Sequence, residues 1–111
     1  MAEITEQALD DMVATIVREV DPKRIVLFGS HARGDAGKDS DVDLIIVEDE
    51  SFGPKRSRRE EIRRIRHALS PFRAPKDILV YSADEVAKWQ YATNHIISHS
   101  LREGKVVYER P

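Results

Sequence analysis

The chain has 111 residues, of which 41% are hydrophobic and 34% charged, a balance that suits one heavily charged globular domain over residues 1–111 and leaves little room for a second core. Eighteen Lys and Arg against 20 Asp and Glu give a formal charge of −2, so no whole-chain field draws the protein to nucleic acid or to a membrane. Cysteine is absent, which excludes disulfide scaffolds, thiol chemistry and Cys-based zinc sites, and the acidic start offers no signal-peptide core; no apolar run approaches the roughly 20 residues of a membrane span, and the expectation is a cytoplasmic protein.

Thr5 reads as a helix N-cap with Glu6 in the first turn, and Leu9, Met12, Val13, Ile16, Val17 and Val20 then form one apolar stripe. Asp21-Pro22 ends that helix. Arg24 to Phe28 is continuous and β-branched, as in a buried strand, and Gly29 breaks it. Ser30 to Arg33 suits one helical turn stopped by Gly34, and a polar loop follows to Ser40. Asp41 to Val47 reads as a second strand with Val42, Leu44 and Ile46 on one face and Asp41, Asp43, Ile45 and Val47 on the other. After a loop from Glu48, Pro54 suits the first turn of a helix over Lys55 to Leu69 that buries Ile62, Ile65 and Leu69. A third strand spans Lys76 to Tyr81, and Ser82-Ala83-Asp84-Glu85 is a capping box. It opens a helix striped by Val86, Trp89, Thr93, Ile96, Ile97 and Leu101, closed by Gly104 before an edge strand at Lys105 to Tyr108. Alternating strands and helices predict an α/β fold, one small mixed sheet with helices mainly on one face.

Asp41 and Asp43, two apart on a strand, project from one face with Cα atoms about 6.6 to 6.8 Å apart. Asp77, near the start of the third strand, joins them if the second and third strands are neighbours. Three carboxylates on one surface repel without a cation, and all-oxygen ligation selects Mg²⁺ or Mn²⁺. Two such ions align an attacking oxygen and stabilise a pyrophosphate leaving group. Gly29-Ser30 supplies the complementary half: a glycine admits a phosphate close to the backbone, a helical turn presents free N–H groups, and the Ser30 hydroxyl adds a donor. Arg33, one turn on, is placed for a charge-assisted phosphate contact. Neither a Walker ending nor a Gly-x-Gly-x-x-Gly fingerprint is present.

Gly29-Ser30, ten intervening residues and Asp41-x-Asp43 resemble the signature of the DNA polymerase β-like nucleotidyltransferase superfamily. The fuller text, Phe28-Gly-Ser-His-Ala-Arg-Gly-Asp-Ala with Ser40-Asp-Val-Asp-Leu-Ile-Ile-Val, is similar to its minimal nucleotidyltransferase branch. The resemblance implies a mixed sheet with flanking helices, ATP as nucleotide donor and a magnesium pair. By match, the catalytic and metal-binding acids fall on Asp41, Asp43 and Asp77, and the nucleotide-binding turn on Gly29 and Ser30. It also implies an antitoxin that transfers AMP to a tyrosine of a HEPN-domain ribonuclease toxin. The short chain fits: it is expected to leave no room for an acceptor-binding domain, so the acceptor is expected on a partner.

Two other readings stand beside this one. The chain neutralises the toxin by binding alone, or it is a small-molecule nucleotidyltransferase of the aminoglycoside type that builds its acceptor pocket as a dimer. The basic run Lys55 to Arg66 reads as a solvated helix face laced with Glu60 and Glu61 rather than a nucleic-acid surface. His31 reads as a variable loop position, and His67, His95 and His99 as helix-surface or interface residues. Trp89 and Tyr91 read as packing residues at the core and its edge.

Overall fold

The computed structural model describes residues 5–37, 40–89 and 103–111. Helix α1, Glu6–Val20, begins at Thr5, whose hydroxyl accepts the Ala8 N–H at 3.0 Å. It ends at Asp21, held in the left-handed region at φ 45°, with its N–H on the Val17 carbonyl. The proline that follows cannot continue a helix. Strand β1, Arg24–Phe28, leads through Gly29 into a single turn, α2, Ser30–Arg33. Strand β2 is Val42–Glu48, helix α3 Arg58–Ala68, strand β3 Lys76–Ser82, helix α4 Ala83–Trp89 and strand β4 Lys105–Glu109. The expected helix stripe and histidines beyond Trp89 (Tyr91, Thr93, His95, Ile96, Ile97, His99, Leu101) lie outside the described residues.

The sheet order is β3-β2-β1-β4. β1 pairs antiparallel with β2 and β4, while β2 and β3 run parallel because α3 carries the chain back to the starting end. Alternation along the strands sorts side chains onto two faces, as the sequence parity predicts. Ile25, Leu27, Val42, Leu44, Ile46, Ile78 and Val80 meet Met12 and Ile16 of α1 and Ile65 of α3, with Leu69 just beyond it. Full burial of each such side chain is worth about 1.5–3 kcal/mol, so this layer supplies most of the fold's drive. On the opposite face Val26, Ile45 and Val47 meet Val86 of α4, with Phe28, Leu79, Tyr81 and Trp89 at the margin. The two longer helices thus back one face, while α4 covers part of the other, in keeping with helices mainly on one face.

The segment before α3 differs from the sequence expectation. Pro54 lies in a tight turn closed by Gly53 and Arg56, with Gly53 N–H on the Arg56 carbonyl at 3.0 Å. The helix starts later, because Ser57 caps it by accepting the Glu60 N–H at 3.2 Å. Nor is the basic run simply a solvated face. Arg56 turns inward between Glu48, Glu50 and Glu61, its guanidinium 4.3 Å from the Phe52 ring. Arg58 donates to the Val80 carbonyl at 2.7 Å and pairs with Glu85, and Arg66 donates to the Lys76 carbonyl at 3.3 Å. Those two arginines, eight residues apart on α3, bond backbone carbonyls of β3, a strand at one end of the sheet order, and so limit further pairing there. Arg63 with Glu60 is the surface pair that was expected.

Glu48 is the least expected core residue. It is 4% exposed, on the same parity as Val42, Leu44 and Ile46, and its Oε2 has no hydrogen-bond partner. Burial pushes its carboxyl up to about 8, with the neighbouring Glu61 adding to the shift and Arg56 opposing it. Arg56, paired with both Glu48 and Glu61, offsets the negative charge of the two carboxyls.

Candidate active site

Gly29 shapes the site. Its φ of 74° and ψ of −156° form a combination open in practice to glycine alone. A Cβ there would stand 2.2 Å from Oδ2 of Asp43. Both conformation and space therefore demand glycine, and the missing side chain lets the turn close onto a carboxylate. In α2 the Ala32 and Arg33 N–H groups both reach the Gly29 carbonyl at 3.1 Å. Gly34, at φ 80°, stops the turn with its N–H on the Ser30 carbonyl. The N–H groups of Ser30 and His31, first in the turn, have no acceptor within it.

Pairing places the acids. Phe28 of β1 is opposite Asp43 of β2, and Asp43 is in register with Asp77 of β3. Registered residues on parallel neighbours point to the same face, and the strands are about 4.8 Å apart. The sequence could place Asp77 there only conditionally, since it cannot show which strands are neighbours. Asp41 sits one residue before β2 rather than within it, followed by Val42, whose N–H is held by the Pro75 carbonyl at 2.8 Å. Burial raises the Asp43 carboxyl above its ordinary value; the charges of Asp77 and then Asp41 add to this, and His31 and Arg33 pull it back. All three expected acids therefore share one electrostatic neighbourhood.

Among the described residues, no three His, Asp or Glu side chains stand together in an arrangement that would already hold a metal ion. The chemistry of the donors still suits a hard cation: oxygen ligands only, with Asp77 and Asp41 adding to the raised proton affinity of Asp43. Arg33 does not point to a dedicated partner in the site. Its Nε is 3.2 Å from Asp35, with the two side chains 53% and 62% exposed, a surface pair weak enough to exchange for a stronger anion. His31, expected as a variable loop position, has its Nε2 3.3 Å from the Ser40 carbonyl oxygen. The spacing of the motif gave no signal for that contact.

A four-stranded mixed sheet with a glycine turn against paired strand carboxylates is the nucleotidyltransferase type of fold. The family model for the nucleotidyltransferase domain matches residues 10–107, and the chain belongs to that family. A 30-residue stretch is 57% identical to a "putative protein adenylyltransferase" of Methanocaldococcus jannaschii; it covers 27% of this chain and 30% of that relative, well under two thirds of its length. Two solved structures share the fold. One is a toxin–antitoxin with AMP-PNP, at TM-score 0.59 and 17% identity, covering 91% of this chain and 73% of that one. The other is a "putative nucleotidyltransferase" from Sulfolobus solfataricus, at TM-score 0.61 and 16% identity, covering 92% and 78%. No described helix is long and apolar enough to cross a membrane.

Proposed function

We propose that this protein is a Mg²⁺-dependent adenylyltransferase that moves AMP from ATP onto a tyrosine hydroxyl of a partner, a HEPN-domain ribonuclease toxin, and thereby neutralises it. The observation that carries the reading is the register of Asp43 and Asp77 on adjacent parallel strands, with the Gly29 turn closed against Asp43. The toxin–antitoxin with AMP-PNP among the fold neighbours and the adenylyltransferase name of the relative matched over 30 residues support the partner and the donor.

In this reading Asp41, Asp43 and Asp77 hold the cation, which supplies charge neutralisation for the triphosphate and the pyrophosphate leaving group. Gly29 and the first N–H groups of α2 seat the phosphates, with the Ser30 hydroxyl and Arg33 as further donors. The tyrosine oxygen attacks the α-phosphorus, forming the new O–P bond. The bond from that phosphorus to the bridging oxygen breaks, and pyrophosphate departs. Asp77, beside the acceptor, takes the hydroxyl proton.

The test uses ATP labelled at the α- or γ-phosphate, incubated with Mg²⁺, the full chain and a HEPN-domain toxin from the same source. Label from the α position should appear on the toxin and label from the γ position should not. An unlabelled toxin that is nevertheless inhibited, equally by an Asp41/Asp43 double alanine variant, would replace this reading with neutralisation by binding.

A further inference from the structure

Among the described residues, few hydrogen bonds hold Asp41 and the residue before it. Asp41 lies outside β2: the Val42 N–H on the Pro75 carbonyl holds the peptide plane that follows it, but no ladder bond holds the plane that precedes it. Ser40, before it, folds back on Gly37: the Gly37 N–H reaches the Ser40 hydroxyl at 2.8 Å and the Ser40 N–H reaches the Gly37 carbonyl at 3.3 Å. That leaves the Ser40 carbonyl, which meets Nε2 of His31, a half-buried contact across nine residues of sequence. A carbonyl only accepts, so Nε2 must carry the hydrogen. Among the described residues, no other side-chain hydrogen bond joins the Gly29–Arg33 turn to residues 40–43.

One piece of covalent geometry makes this contact consequential. The Ser40 carbonyl and the Asp41 N–H belong to the same planar peptide group. Holding the carbonyl restrains the plane from which the Asp41 backbone departs, and so narrows the directions open to its carboxylate. We infer that His31 is a positioning residue: from the phosphate-binding turn it aims Asp41 at the cation, coupling the two halves of the site. The inference rests on the proposed metal-dependent reaction and assigns a role to a residue inside the turn motif that needs no contact with nucleotide.

Three variants of the full chain separate this role from a general structural one. His31→Gln places an amide N–H near the reach of Nε2, His31→Asn falls short of it, and His31→Ala removes it. The first readout is the Ser40 carbonyl ¹³C resonance in labelled protein, which reports the hydrogen bond without metal or substrate. The second is Mn²⁺ affinity, measured by the paramagnetic resonance of free Mn²⁺. The Ser40 resonance should move in the Asn and Ala variants and stay close to wild type in the Gln variant. Mn²⁺ binding should weaken by about tenfold in Asn and Ala, the usual loss when a ligand's orienting partner is removed, and recover in Gln. An unmoved Ser40 resonance in the Asn variant, or unchanged Mn²⁺ affinity despite a moved resonance, would overturn the inference; so would Gln behaving like Asn. Wild-type protein that binds no Mn²⁺ would instead overturn the metal reading of the site, and the Ser40 resonance would still decide whether His31 makes the bond.

Discussion

Strand β2 carries a carboxylate cluster at each end, and the two are built on opposite principles. At its far end Glu48 is buried with Glu61 close by, and the cluster contains its own cation: Arg56 touches Glu48, Glu50 and Glu61 and stacks on Phe52. At its near end Asp43 is flanked by Asp77 and Asp41, and burial together with these charges raises its carboxyl against the pull of His31 and Arg33. Arg33 is itself engaged by Asp35. A structural cluster balances its charge internally, because an unpaired charge in the core would unfold it. In the proposed function the near-end cluster takes the rest of its counter-charge from a bound cation.

Breaking each end should therefore have different consequences. The largest effect is expected at Asp43: Asp43→Asn should lower AMP transfer by about 10³-fold, since cation-mediated charge stabilisation is worth several kcal/mol. The same variant should melt no lower than wild type, because it removes a repelled charge; calorimetry beside the transfer assay checks both halves. At the other end, Arg56→Met strands buried carboxylates and should cost about 3–5 kcal/mol of stability in denaturant unfolding. Gly29→Ala lies between the two. Its strain and its clash with Asp43 should cost about 1–3 kcal/mol and also reduce transfer.

Smaller effects sharpen the comparison. Glu48 has a folded-state value raised from the ordinary 4.5 to about 8, so it favours the fold when protonated. Its contribution is fully present below about pH 4.5 and is lost as pH rises through about 8. Melting measured across that window should fall toward high pH in wild type and fall less in Glu48→Gln, which stays neutral. Least of all, Arg33→Ala should change stability by no more than about 0.5 kcal/mol while weakening ATP binding, because its pair with Asp35 is exposed.

Much of this plan was legible in the residues, for identifiable reasons. Strand β1 spans the expected Arg24–Phe28, and the Ser82–Glu85 capping box forms reciprocally, with N–H to side-chain distances of 2.9 and 3.2 Å. The period-two alternation of β2 correctly separated the core face from the acid face. What stayed hidden depended on three-dimensional neighbours. The Asp43–Asp77 register follows from parallel pairing, which no local pattern encodes. Pro54 has the same sequence appearance in a tight turn as in a first helical turn, and Ser57 decided between them. Glu48 had the parity of a core residue, but its charge masked that signal until Arg56 and Glu61 appeared beside it. The candidate residues Gly29, Ser30, Asp41 and Asp43 were set by one motif, whereas the His31 contact with Ser40 required the loop to fold back.

The most direct measurement is the thermal unfolding of wild type and Asp43→Asn, each with and without ATP and Mn²⁺ together. If the near-end cluster takes its counter-charge from a bound cation and nucleotide, wild type should gain stability as RT ln(1 + [L]/Kd), and Asp43→Asn should gain little or none. Equal gains in the two proteins, or none in wild type, would contradict the account.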